Sequence, residues 1–167
     1  MKLHDYHATT RRVTIDDLEN IATGAGILGT GGGGSPRIGR LRLRTILEDD
    51  AYPNAIEVVP PDEIAPDWTI GSCGGMGAPT ISVEKLAQGE EEYRSLRAIE
   101  RASGRTVDAV IPGEIGGANS MVPFVVAALA DVPVIDGDGM GRAFPEVQMC
   151  TYFIYGHGPS PAALADS

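Results

Sequence analysis

The sequence predicts an α/β domain: a mostly parallel sheet with flanking helices, and glycine-rich loops at the carboxyl ends of the strands. Three observations predict it. Short apolar runs alternate with helical periodicity in the order strand, helix, strand, helix, strand, with short connections between them. The runs over 68–72, 107–111 and 132–135 each lead into a glycine-rich stretch that carries a thiol or carboxylates. With 167 residues, 43% of them apolar, the chain suffices for one domain with a real core and is short for two.

Taken in order, residues 1–13 form a segment expected to be flexible, and the domain proper is expected to span 14–167. The start lacks the apolar core of a signal peptide. Thr14-Ile-Asp-Asp17 opens a helix, with Thr14 as its cap and Asp17 at the third helical position, near the positive end of the dipole. Ile15, Leu18, Ile21, Ala22 and Ala25 then share one face. The helix runs into Gly29-Thr-Gly31-Gly32-Gly33-Gly34-Ser35-Pro36. Two G-x-G-x-x-G matches, at Gly24 and Gly29, follow a helix where a dinucleotide fingerprint follows a strand, and no Lys follows Gly34. No nucleotide is expected. Ser35 as N-cap and Pro36 as first residue begin a helix from 37 to about 48. Gly31, Gly32, Gly33, Gly34 and Ser35 are therefore either an anion-binding turn at that helix's positive end or a plain helix–helix connector.

A strand over 56–59 and another over 68–72 come next, the second ending in Cys73-Gly-Gly-Met76-Gly. A helix or helix pair follows, broken near Gly89, with Leu86, Tyr93, Leu96 and Ile99 on its apolar side and Glu90, Glu91 and Glu92 read as solvated. The strand over 107–111 ends in Pro-Gly-Glu114-Ile-Gly-Gly-Ala-Asn119. The helix over 121–130 is apolar almost all round, which places it in the core or at an interface. After the strand over 132–135 comes Asp136-Gly-Asp138-Gly-Met140-Gly-Arg142-Ala-Phe144-Pro-Glu146. The stretch 147–155 fits either strand or helix, and the chain stops without a clear final element, which reads as truncation before a further domain.

Parallel β-α-β units place the turns after successive strands on one edge of the sheet, where open α/β sheets bind ligands. The turns of Cys73, Glu114 and Asp136 are expected to meet there. Asp136 and Asp138, two apart in a tight turn, can aim both carboxylates at one point and raise one another's pKa toward that of a base. Alternatively they bind a divalent metal with Glu114 or Glu146, so the cofactor stays open. Arg142 can hold a substrate carboxylate bidentately, or pair with Asp138 or Glu146. Cys73 is either a nucleophile or a packed thiol. Asn119 orients substrate or caps the next helix. Cys150 reads as core.

Composition narrows the partners. A net charge of −10, with basic residues only at Arg11 and Arg12 and between 37 and 44, argues against nucleic acid. The longest apolar run, 121–130, is too short to span a bilayer. Two cysteines give no disulfide framework, and a cytoplasmic location is the default.

Four motifs in the same order, Gly29-Thr-Gly-Gly-Gly-Gly34, Met76-Gly-Ala-Pro-Thr80, Glu114-Ile-Gly-Gly-Ala-Asn119 and Asp136-Gly-Asp-Gly-Met-Gly-Arg-Ala-Phe-Pro-Glu146, resemble the S-methyl thiohydantoin desulfurase family. The resemblance covers about residues 14–166 and falls on the family's N-terminal domain. It implies a hydrolase that converts an S-methylated thiohydantoin to a hydantoin with release of methanethiol, in the setting of cyclic amide catabolism. On that basis Asp136, Asp138, Glu114 and Cys73 are the catalytic candidates, and the substrate-binding candidates are Gly31 to Gly34, Ser35, Asn119 and Arg142. A small heterocyclic substrate and a homo-oligomer are the expected partners. The competing expectation is a non-catalytic domain that binds a small anion or a partner subunit through the same edge. The fragment alone is expected to be inactive.

Overall fold

A computed structural model describes residues 10–77, 84–85 and 87–166. Five strands form one sheet in the order β1-β2-β5-β4-β3: β1 Arg11–Val13, β2 Ile56–Val59, β3 Ile70–Cys73, β4 Ala109–Pro112 and β5 Val134–Ile135. β2, β5, β4 and β3 run parallel, as the alternation of elements predicts, and among the described strands only β1 is antiparallel to its neighbour. The registers Val59 with Ile135, Val110 with Val134 and Cys73 with Pro112 bring the carboxyl ends of β2, β5, β4 and β3 to one edge.

β1 corrects the expectation of a flexible segment through residue 13. Three residues are too few to show an alternating pattern, and this strand exists through its pairing, Arg11 with Val58 and Val13 with Ile56, with Val13 buried. Residues 1–9 lie outside the described residues.

Among the described residues four helices pack on one face. α1 (Leu18–Gly29) follows a single 3-10 turn, Ile15–Asp17. There the Asp17 carboxylate accepts the Thr14 N–H at 2.8 Å and the Thr14 hydroxyl at 3.1 Å, which fixes the chain's entry. α2 (Pro36–Leu47) starts at Ser35 and Pro36 as expected, although the Ser35 hydroxyl makes no capping bond. α3 (Glu91–Ser103) ends at Gly104 in the left-handed conformation, and α4 (Val122–Ala130) ends at Asp131 in the same conformation. Leu86, expected on the apolar side ahead of α3, lies outside the described residues.

The main core joins Leu18, Leu43, Leu47, Leu96, Met121, Val122, Val125 and Val126 to Val110 and Val134 of the sheet. Each such aliphatic side chain contributes roughly 1.5–3 kcal/mol by leaving water. Of the two places open to it, α4 takes the core: Val122, Pro123, Val125, Val126, Ala127 and Ala128 are all buried. It therefore offers no wholly apolar interface. On the other face, Val59, Ala109 and Ile135 pack under Ile64 and Trp68 from the connection between β2 and β3.

The stretch left between strand and helix forms a 3-10 turn, Val147–Met149, and one helical turn, α5 (Thr151–Ile154). It is tied back to the acidic loop by Thr151 N–H on the Gly139 carbonyl at 2.7 Å, with Cys150 buried beneath.

Candidate functional site

The turns that follow β3, β4 and β5 meet. Asn119 accepts the Gly75 N–H on its Oδ1 at 2.7 Å, while its Nδ2 donates to the Gly75 carbonyl at 2.9 Å and to Glu114 Oε1 at 2.6 Å. Glu114 Oε2 in turn accepts the Phe144 N–H at 3.0 Å. The Gly139 N–H donates to the Gly113 carbonyl at 3.2 Å, a second tie between the β4 and β5 turns. Glu114 is thus a half-buried carboxylate held by Asn119 of its own turn, which in turn reaches the β3 turn, and by the Phe144 N–H of the β5 turn. Asn119 neither caps a helix nor offers a free amide to a ligand, since its amide is occupied by Gly75 and Glu114.

Asp136 and Asp138 take different partners. The Asp136 carboxylate lies 3.3 Å from the Arg11 guanidinium, brought there by the unforeseen β1. The Asp138 carboxylate folds back onto its own turn and accepts the Met140 N–H at 2.6 Å and the Gly141 N–H at 2.5 Å. A short carboxylate in a glycine-rich turn finds unpaired N–H groups two and three residues on, and binding them competes with presenting the acid outward. Glu146 is engaged by Gln148. Among the described residues no three His, Cys, Asp or Glu side chains come together as a metal-ligand set, so Asp136, Asp138 and Glu146 do not make one.

Cys73 ends β3 as part of the main core. Burial pushes its thiol up to about 12, and the nearby Glu92 charge adds to this. At neutral pH it stays protonated, which is the wrong state for the nucleophile considered from sequence. Both Cys73 and Cys150 are buried thiols, Cys150 as expected.

The glycine-rich turn serves close packing. The carbonyls of Gly33 and Gly34 accept the N–H groups of Asn119 at 3.0 Å and Ala118 at 3.2 Å, so the turn lies backbone on backbone against the 3-10 turn Gly117–Ser120. A Cβ on Gly33, whose φ is +76°, would sit 2.2 Å from the Gly116 carbonyl oxygen. Gly31, Gly32 and Ser35 are exposed beside it, and the Gly32 N–H closes on the Gly29 carbonyl at 2.7 Å. The turn joins Asn119 to α2 and is more than a plain connector.

Arg142 pairs with neither Asp138 nor Glu146. Its Nη2 donates to the Thr30 hydroxyl, and its guanidinium lies 5.1 Å above the centre of the Phe144 ring. Two further residues at this edge escaped the sequence reading. Arg42 of α2 holds Glu92 of α3 through both carboxylate oxygens, at 2.8 and 2.5 Å, and the Gly89 carbonyl at 2.6 Å. The Glu92 hydrogen bonds raise the Arg42 guanidinium above its ordinary value. Glu92, read as solvated, lies within 3.9 Å of where a Cβ on Gly75 would stand. Its partner sits 50 residues away, so no local pattern announced the pair. Among the described residues the buried Tyr152 hydroxyl has no partner, and burial, then Cys150 and Asp138, push it up to about 12.

A shallow hollow of about 430 Å³ opens at the opposite end of the sheet, lined by Arg12, Glu57, Asp131 and Pro133 among others. It contains none of the candidate side chains. No helix among the described residues is long and apolar enough to cross a membrane.

No curated protein matches the chain. Among solved structures, a crystal structure of a protein from Chromobacterium violaceum matches with a TM-score of 0.75 and 30% sequence identity, covering 94% of this chain and 44% of that one. This chain thus spans less than half the length of that relative. The family model described as "S-Me-THD-like, N-terminal domain" matches residues 16–167. With nearly all of its length covered by that model, the chain belongs to the S-Me-THD-like family and carries its N-terminal domain.

Proposed function

We propose that this domain supplies part of the active site of a hydrolase acting on a small cyclic amide or thioamide. The preferred reaction is hydrolytic desulfurisation of an S-methyl thiohydantoin. The observation that carries a catalytic reading is the position of Glu114, where three turns meet and Asn119 and the Phe144 N–H fix its orientation. The substrate class comes from the family. A carboxylate has about four acceptor positions, and the two contacts use two of them, so a water can still be held.

In the reaction a water oxygen bonds to the ring carbon that carries sulfur. Glu114 takes one of its protons as general base. The tetrahedral adduct then breaks its C–S bond, and Glu114 returns the proton to the departing sulfur as general acid. The water's other proton stays on the ring, which becomes the hydantoin amide, and methanethiol leaves. Asp138 shapes the neighbouring turn, and Asp136 stands toward β1.

A second reading is a binding domain whose chemistry is supplied elsewhere in a longer protein. It is favoured by the engagement of Asp136 and Asp138 in contacts of their own and by the protonated state of Cys73. The deciding experiment offers the full-length protein a panel of S-methyl thiohydantoins and hydantoins and follows free thiol. Release from the S-methyl compounds supports the hydrolase. Binding of the panel without release from any member favours the second reading.

A further inference from the structure

Resting on the reading of Glu114 as the working carboxylate, we infer that Arg42 and Glu92 are positioning residues for it. Their ion pair closes a ring of contacts around Gly75 and Asn119 and so fixes where Glu114 points. The pair is the most enclosed ion pair among the described residues, with side chains 23% and 15% exposed. Arg42 holds both Glu92 oxygens, at 2.8 and 2.5 Å, and its Nη2 also donates to the Gly89 carbonyl just ahead of α3 at 2.6 Å. One face of α3 lies along β3 and its turn. A Cβ on Gly71 would stand 2.8 Å from Leu96 Cδ1, and a Cβ on Gly75 would stand 3.9 Å from Glu92 Oε1. That same Gly75 position is 3.3 Å from Asn119 Oδ1, so the turn is wedged between the two side chains.

α2 supports both sides of that wedge. Gly39 meets the 3-10 turn that carries Asn119, where a Cβ on Gly39 would stand 3.0 Å from the Ala118 Cα. About one helical turn further along α2, Arg42 holds Glu92. The contacts thus run from Arg42 to Glu92, across Gly75 to Asn119, through Ala118 to Gly39, and back along α2. Glu114 is tied to this ring by Asn119 Nδ2 at 2.6 Å. Two charges enclosed to this degree give up much of their hydration, so the net contribution of the pair to stability is small. A bidentate fork, by contrast, fixes direction as well as distance. Without Arg42, the Glu92 carboxylate is left uncompensated and turns toward water, and Gly75 loses its backing on the side away from Asn119.

The test uses the full-length protein with Arg42→Met, and with a double variant that adds Glu92→Met and so leaves no uncompensated acid. Melting temperatures identify the folded variants, and the double variant carries the test where the single one does not fold. In a folded variant, kcat for methanethiol release from an S-methyl thiohydantoin is expected to fall at least about tenfold, with KM within about twofold, because a displaced base affects the chemical step. Exchange of the Gly75 amide hydrogen, held by Asn119 Oδ1 in the wild type, is expected to quicken at least about tenfold in the same variant. A role confined to stability would lower the melting temperature and leave both readouts unchanged. An unchanged kcat or an unchanged Gly75 exchange rate in a folded variant overturns the inference. Thiol release from no substrate by the wild type would sink the hydrolase reading instead, and the exchange rate alone would then decide whether the pair braces the turn.

Discussion

The side chain of Asn119 joins Glu114 to the turn after β3, with Nδ2 2.6 Å from Glu114 Oε1 and the amide closed on both backbone groups of Gly75. Removing it in Asn119→Ala leaves the Glu114 carboxylate with one protein contact and frees the Gly75 turn. Because the contacts are partly solvent-exposed, the expected stability loss is only about 1–2 kcal/mol by denaturant titration. Turnover by the full-length protein should fall by about a hundredfold, since a carboxylate displaced by an ångström loses its alignment.

Asp138 distinguishes a structural acid from a catalytic one. Its carboxylate accepts two N–H groups of its own turn, and an asparagine Oδ1 can accept them as well. Asp138→Asn should therefore keep most of the turnover and stability, while Asp138→Ala should lose about 1 kcal/mol. Loss of turnover in the Asn variant at unchanged stability would restore Asp138 to the chemistry.

Two glycines of one turn, two residues apart, make a contrasting pair for packing. Gly33 and Gly31 both have positive φ, +76° and +95°, but only at Gly33 would a Cβ strike backbone, the Gly116 oxygen at 2.2 Å. Gly31→Ala should cost about 1 kcal/mol, the strain of φ alone. Gly33→Ala should cost more than about 3 kcal/mol, because the two loops must separate. Denaturation midpoints of the two variants measure the difference.

Cys73 makes stability fall in alkali. Its thiol is raised from about 9 to about 12 on folding. Between those values the unfolded chain loses a proton that the folded chain retains, so unfolding becomes easier as pH rises. The contribution is fully present below pH 9 and is lost progressively up to about pH 12. Tyr152, raised from 10.0 to about 12, adds to the slope in its upper part. Cys73→Ala should show a shallower decline of stability from pH 9 to 10.5, and the wild-type thiol should resist iodoacetamide at pH 8 until the protein unfolds.

Much of the fold was legible because it rests on local pattern. The apolar runs at 56–59, 68–72, 107–111 and 132–135 became β2 to β5 with ends shifted by at most two residues, and Thr14, Ser35 and Pro36 marked helix starts where the chain places them. What was not legible depends on partners distant in sequence. β1 is three residues held by pairing with β2, and its Arg11 decides where Asp136 points. Glu92 looked solvated within an acidic run until Arg42 was brought to it. The glycines at 31–34 carried an anion-site pattern, yet Gly33 and Gly34 bind a second glycine-rich turn, which no local spacing reveals. The meeting of the three turns followed from parallel topology, but the choice of Glu114 over the aspartates follows from side-chain partners alone.

The most direct measurement is methanethiol release from an S-methyl thiohydantoin by the full-length protein and by its Glu114→Gln variant, with melting temperatures recorded for both. Placing the working carboxylate at the junction of the three turns predicts release by the wild type. It also predicts a loss of at least about a hundredfold in kcat for a variant that remains folded. Release by Glu114→Gln at the wild-type rate would contradict that placement.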